Sequence, residues 1–386
     1  MTHEIRARRR PGRAPAPGVG PVAPRFPGVR KIAVLRGGGL GDLMFALPAV
    51  EALAAAYPQA SITLLGTALH AALLADRPGP VDRVEILPAA PGISAGPEDR
   101  RGTGAFLSRM RQEDFELAVQ VHGGGRNSNP FLLGLGARHT VGTRTPDAAA
   151  LERNIPYIYY QHEIFRALEV VGLAGAVPVS MEPQLPVLPH EAARARTMLL
   201  PGRKLVTLHA GATDPRRRWP ASCFAEVAVR AVERGCQVLV VGDGADRDLA
   251  GLVVELALAD AGPEAPVRSV AGDLDIGTLA GLLQASSVLV GNDSGPRHLA
   301  QAVGTPTVGI YWFGNVINAG AIGRSRHRVH MSWVSACPVC KADVTQVGWT
   351  AERCEHNDSF VAEVRPTDVW DDVAALLVAD PDGCFQ

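Results

Sequence analysis

A chain of 386 residues is too long for one compact core and suits two domains. Hydrophobic residues at 47% and a formal net charge of −1 describe a soluble globular protein, and the near-zero charge argues against a nucleic-acid partner. No apolar run reaches membrane-spanning length and no signal-peptide core opens the chain, so a cytoplasmic location is expected.

Residues 1–30 place Arg6, Arg8, Arg9, Arg10 and Arg13 among Pro and Gly without an apolar period. This reads as a disordered, solvated basic arm; peripheral attraction to an anionic membrane surface is the alternative. Residues 31–35 then form a short buried strand, Arg36-Gly37-Gly38-Gly39-Leu40-Gly41-Asp42 a glycine-rich turn, and residues 43–57 a helix closed by Pro58. A dinucleotide fingerprint started at Gly37 would put Asp42 in place of its third glycine, and no acid ends the next strand at residues 62–65. No Gly-x4-Gly-Lys-Ser/Thr occurs either. The turn therefore offers close backbone approach at Gly39 and Gly41 and one carboxylate, Asp42, at the C-terminal edge of a parallel sheet.

Further strands at 84–86 and 117–120, with His122 just beyond the latter, and a helix at 162–171 complete a first unit over residues 31–177. A Pro-rich linker at 178–202 precedes a second unit over 203–378. This unit has strands at 205–209, 238–241, 288–290 and 307–310 and helices at 221–234, 246–258, 276–284 and 296–303. Repeated βα units imply parallel sheets with right-handed crossovers, hence an α/β protein of two doubly wound, Rossmann-like domains facing a central cleft.

The segment from Val288 to His298 carries the most chemistry. An apolar strand empties into Asn292-Asp293-Ser294-Gly295, and Pro296 opens a helix, which leaves backbone N–H groups free at a helix N-terminus. That is a seat for a diphosphate, with Asp293, Ser294, Gly295 and His298 around it. The plain alternative is an ordinary βα turn capped by Asp293 or Ser294.

Six cysteines without a secretory context point to reduced thiols or a metal. Within residues 334–360, Cys337-Pro338-Val339-Cys340 and Cys354-Glu355-His356 supply four soft ligands over a loop with no other evident core, and Cys384 could replace His356. Zinc is the expected occupant, iron the alternative, and free thiols the plain reading.

Taken in order, these motifs resemble glycosyltransferase family 9, the ADP-heptose heptosyltransferases of lipopolysaccharide core assembly and their relatives. The likeness runs from about Lys31 to Val378 through Gly39-Leu40-Gly41-Asp42 with Pro48-Ala49, His209-Ala210-Gly211-Ala212, Arg217-Arg218-Trp219-Pro220, Val241-Gly242-Asp243-Gly244 with Asp246, and Asn292 to His298. It implies the GT-B arrangement, with the second domain binding an ADP-sugar donor. Arg217 falls where relatives carry a basic residue, commonly Lys, that faces the diphosphate. Asp246 falls where a carboxylate meets the ribose. Asp42 is implied as the catalytic base of an inverting transfer to a hydroxyl acceptor, with Gly39, Gly41 and His122 on the acceptor side. The resemblance implies no cofactor for catalysis, since protein groups neutralise the diphosphate without Mg²⁺, and it admits iron in the cysteine cluster as in protein-modifying relatives. The acceptor could be lipopolysaccharide core, a protein or a small metabolite. The competing class is a sugar-nucleotide binder or epimerase of the same fold, which needs the second-domain motifs but no Asp42.

Overall fold

The computed structural model describes residues 19–345 and 352–378. In the first half, β1 (Lys31–Leu35), α1 (Leu40–Ala56), β2 (Ser61–Gly66), α2 (Ala68–Leu74) and β3 (Arg83–Ile86) alternate, followed by α3 (Arg100–Arg111), β4 (Leu117–Gln120), α4 (Ser128–Leu133), β5 (His139–Arg144), β6 (Arg153–Pro156) and α5 (Glu163–Gly172). All six strands are parallel, in the order β3-β2-β1-β4-β5-β6. The second half follows α6 (Pro189–Arg196) with β7 (Leu205–His209), α7 (Ala221–Glu233), β8 (Gln237–Val240), α8 (Arg247–Ala261), β9 (Val267–Ser269) and α9 (Ile276–Gln284). It closes with β10 (Val288–Asn292), α10 (Gly295–Ala302), β11 (Thr307–Trp312), α11 (Phe313–Ala319), β12 (His327–Ser332) and α12 (Pro366–Val378). Its parallel sheet runs β12-β11-β10-β7-β8-β9.

Both halves are doubly wound α/β units in the GT-B arrangement. Central strands β4, β7, β8 and β10 are buried at every residue, as parallel strands covered on both faces must be. In each sheet the strand order reverses between two central strands, β1/β4 and β7/β10, and the crevice beyond their C-terminal ends is where such sheets bind ligands. One apolar cluster spans both halves: Leu43, Met44 and Leu47 of α1 share it with Leu299, Ala300 and Val303 beside α10.

Three sequence expectations change. Residues 19–30 are anchored at Phe26 and Val29: the Phe26 N–H donates to Tyr57 Oη at 3.1 Å, and the Phe26 ring stacks on His139 at 4.1 Å beneath the Arg153 guanidinium. The five arginines assigned to a basic arm lie outside the described residues. The 178–202 linker holds α6, started by Pro189 and by Glu191 reaching back to the Leu188 N–H at 2.8 Å, and buried Arg77 pairs with that Glu191 at 2.6 Å. The 334–360 loop has a small core of its own in Cys337, Val344 and Phe360.

No helix among the described residues is long and apolar enough to cross a membrane.

Candidate active site

On the first sheet, β1 delivers Arg36 to the switch point. Its guanidinium is buried and donates to Asp42 Oδ1 at 2.5 Å, to the Val121 carbonyl beyond β4 at 2.5 Å, and to Glu163 at 3.2 Å; Glu163 in turn pairs with Arg166. Asp42 stands at the third position of α1, where Oδ2 accepts the Gly39 N–H at 2.8 Å and so caps the helix. Gly38 is required there: its φ is +91°, and a Cβ would lie 2.3 Å from Asp42 Oδ2. Burial alone would raise the Asp42 carboxyl, but the Arg36 guanidinium and the Gly39 N–H outweigh it and hold it below the ordinary carboxylate value. The side chain keeps 43% of its surface exposed, so an ionised carboxylate faces solvent.

His122 is used as scaffold. Its Nδ1 accepts from the Gly37 N–H at 3.1 Å and its Nε2 donates to the Gly92 carbonyl at 2.8 Å, which fixes the glycine turn and leaves neither ring nitrogen free. His70, not singled out in the sequence, steadies the same turn from its Nε2 to the Gly39 carbonyl at 3.0 Å.

On the second sheet, buried Asn292 explains why three separate motifs occur together. Its amide donates to the Ala210 carbonyl at 2.8 Å and its oxygen accepts from the Trp219 N–H at 3.0 Å, tying the β7 turn and the Arg217 turn to the end of β10. Ser294 is the N-cap of α10, extended at φ −158°, and makes no side-chain cap hydrogen bond. Among the described residues no side chain caps the first turn of α10, so neither Asp293 nor Ser294 serves as the plain helix cap. Arg217 reaches this end of α10 by donating to Asp293 Oδ2 at 3.1 Å.

Asp293 and His298 are both buried, and they act as the floor of the turn. Burial would raise the Asp293 carboxyl, but the hydrogen bond from His298 and the charges of His298, Arg297 and Arg217 bring it down to about 2. Burial and then Arg297 push the His298 imidazole down to about 4. A neutral ring satisfies its neighbours: Nε2–H donates to Asp293 Oδ1 at 3.1 Å while Nδ1 accepts from Arg297 at 3.0 Å.

His209 heads one of the motifs that carry the family likeness, although no role was expected of it. Lying at the end of β7, it joins Ser294 Oγ at 2.8 Å through Nδ1 and Asp246 Oδ2 at 3.3 Å through Nε2. It thereby links the residue expected to meet the ribose with the turn expected to seat the diphosphate. The His209 hydrogen bond is also the first cause of the lowered Asp246 carboxyl. Gly211 makes room for Asp246, because a Cβ there would lie 2.3 Å from Oδ1. Its place at the C-terminal end of β7 and at the head of the His209–Ala212 motif marks His209.

The two turns meet. A Cβ on Gly41 would stand 3.0 Å from His298 Cδ2, one on Gly295 would stand 2.9 Å from the Leu40 Cβ, and the Phe45 ring lies edge-on to His298 at 4.4 Å. An exposed carboxylate and a helix N-terminus with an attendant guanidinium therefore sit side by side at the base of the cleft. Such a pair can take a proton from one group and stabilise negative charge leaving another.

Further along, Cys337, Cys340, Cys354 and His356 place their ligand atoms within 4.8 Å of one another. His356 Nδ1 is buried without a hydrogen-bond partner, and the Cys340 backbone N–H leads in pulling the Cys337 thiol down to about 7. Three thiols and an imidazole fit a tetrahedral zinc or iron ion. Cys384, the alternative fourth ligand, lies outside the described residues.

A sequence model of glycosyltransferase family 9 (heptosyltransferase) matches residues 104–342, more than half of the chain. The chain belongs to glycosyltransferase family 9. Lipopolysaccharide heptosyltransferase 2 of Escherichia coli is 26% identical over 295 residues, which cover 73% of this family 9 chain and 82% of the relative. Among solved structures, E. coli ADP-heptose lps heptosyltransferase II superposes with a TM-score of 0.69 at 20% identity, over 90% of this chain and 98% of that one. The iron-containing dodecameric glycosyltransferase TibC of enterotoxigenic E. coli gives 0.54 at 12% identity, over 92% and 80%. As a family 9 member the protein is a glycosyltransferase, and the sugar-nucleotide binder or epimerase reading falls away.

Proposed function

We propose that the protein transfers a heptose, with inversion, from an ADP-sugar to a hydroxyl acceptor, of which lipopolysaccharide core is the first to test. The observation that carries this reading is the abutment of the two switch points, with the Asp42 carboxylate on one wall and the uncapped N-terminus of α10 with Arg217 on the other. In this reading the diphosphate lies on the Ser294-Gly295 N–H groups and Arg217, and the ribose diol faces Asp246 and His209. Asp42, ionised and exposed, accepts the proton of the acceptor hydroxyl as its oxygen attacks the anomeric carbon. The C–O bond to ADP breaks, and the departing diphosphate charge is met by the guanidinium and the helix N-terminus without Mg²⁺. Arg36 keeps Asp42 charged and aimed, and Asp293 with His298 holds Arg217 in place.

The cysteine cluster belongs to the same reading as the holder of one structural Zn²⁺ or iron ion, which supplies a cross-link between loop segments and takes no part in the chemical step. Purified protein should carry about one equivalent of metal, and chelation should lower its melting temperature. Mass spectrometry after incubation with ADP-heptose and heptose-deficient lipopolysaccharide core, a protein mixture or small hydroxyl acceptors tests the transfer. One product heavier by a single heptosyl unit supports it, and no product with any acceptor while ADP-heptose stays intact counts against it.

A further inference from the structure

The turn that carries Arg217 is gripped from outside by the segment that follows the cysteine cluster. Phe360 N–H donates to the Arg216 carbonyl at 2.7 Å and Ser359 Oγ–H donates to the Arg218 carbonyl at 2.6 Å, so both carbonyls flanking Arg217 are held by neighbouring residues of one strap. The Trp219 indole N–H adds a bond to the Val364 carbonyl at 2.9 Å, Arg353 stands 3.7 Å from Asp214, and the Arg216 guanidinium lies 5.1 Å over the Phe360 ring. Yet residues 352–365 form no helix or strand, and the core beneath them is small, with Cys337, Val344 and Phe360 buried and Cys354 packed against them. A strap without a ladder of its own must be fixed elsewhere, and Cys354 and His356 lie only a few residues before Ser359 and Phe360. The same loop is tied to the first half of the molecule where the Tyr160 hydroxyl donates to the Thr345 carbonyl.

We propose that the Cys337/Cys340/Cys354/His356 knuckle is the positioning element of the donor site: a metal held there fixes the strap at residues 353–360, and the strap fixes Arg217. The inference rests on the reading of Arg217 as a donor contact. Ordering the strap in advance removes an entropy cost that ADP would otherwise meet on binding, so metal occupancy acts on nucleotide affinity although no ligand atom touches the nucleotide. Ser359 and Phe360 are positioning residues in this scheme, Arg217 is the donor contact they hold, and the knuckle contributes nothing to proton transfer.

The test compares the metal-loaded full chain with the chelated chain and with Cys340→Ser, using ADP alone as the probe. Calorimetry should show ADP affinity falling about tenfold or more on metal loss. Hydrogen exchange should speed up at the amides of residues 214–219 while those of β7 and β10 stay protected. Ser359→Ala, which removes one strap bond and leaves the ligands in place, should keep its metal and lose a smaller part of the ADP affinity. Cys223→Ser, a free thiol outside the knuckle, should change neither reading. Unchanged ADP affinity and unchanged exchange at 214–219 after metal loss would overturn the inference, as would a purified protein holding no metal. Loaded protein that fails to bind ADP would instead sink the donor reading, and the exchange comparison at 214–219 would still decide whether the knuckle holds the turn. If Cys340→Ser does not fold, Ser359→Ala decides through metal content and affinity together.

Discussion

Arg36 sets the working state of Asp42. A guanidinium 2.5 Å from one carboxylate oxygen and an N–H on the other keep the proton acceptor ionised well into acid, where an ordinary carboxylate would begin to fill. The acid limb of kcat/KM due to this group should therefore lie below the ordinary carboxylate value, and in Arg36→Gln it should move to higher pH, because burial is then opposed only by the Gly39 N–H and the nearby His122. An unmoved limb in a folded Arg36→Gln enzyme would show that another group carries it. His298 makes a different pH statement. Its folded value of about 4 lies below the ordinary 6.5, so the unfolded chain takes up the proton first as pH falls. The stability from the neutral ring is complete above pH 6.5 and drains away between 6.5 and 4; Asp293, at about 2 against 3.8, adds a loss only below 3.8. Melting temperatures measured from pH 7 to pH 4 should fall for the native chain and fall less steeply for His298→Asn. Equal slopes would remove His298 as the cause.

Packing between α1 and α10 makes the site one object, and glycine is what lets the elements approach. At Gly211 a methyl group would displace Asp246 from its place beside His209. Gly211→Ala should weaken ADP binding by roughly tenfold, the worth of about one charge-assisted hydrogen bond, with the melting temperature little changed. The alternating βα pattern and the polar turn before Pro296 were legible in the sequence because apolar runs, Gly and Pro act locally, while whether that turn is capped was not. Asp42 stood out for the same reason, as a lone acid in a glycine turn. Its buried partner Arg36 did not, because the bonds that make it matter run to Val121 and Glu163, far away in the chain. The same holds for His209, whose partners Asp246 and Ser294 come from two other βα units. β5, β6 and β12 were missed since their polar residues hide the period, as in His-Arg-Val-His-Met-Ser. Residues 178–202 read as a linker because proline dominates them, yet Pro189 starts a helix there.

Across the molecule, the two halves are joined by more than the cleft. The Arg77–Glu191 pair, with side chains 1% and 6% exposed, bolts the end of α2 to α6, and α6 lies on α9 of the second half. Arg77→Met should cost about 3–5 kcal/mol, since it strands a buried carboxylate, and calorimetric melts should show this as a large drop. A shift of less than 1 °C would mean the pair is solvated in solution. The central claim is that the first half supplies the proton acceptor and the second half the donor seat, and one comparison tests it most directly: turnover and ADP affinity measured together on Asp42→Asn. The variant should transfer heptose about 10²–10⁴-fold more slowly than the native enzyme while binding ADP with the native affinity. Native turnover, or a loss of ADP affinity that matches the loss of rate, would contradict that division of labour.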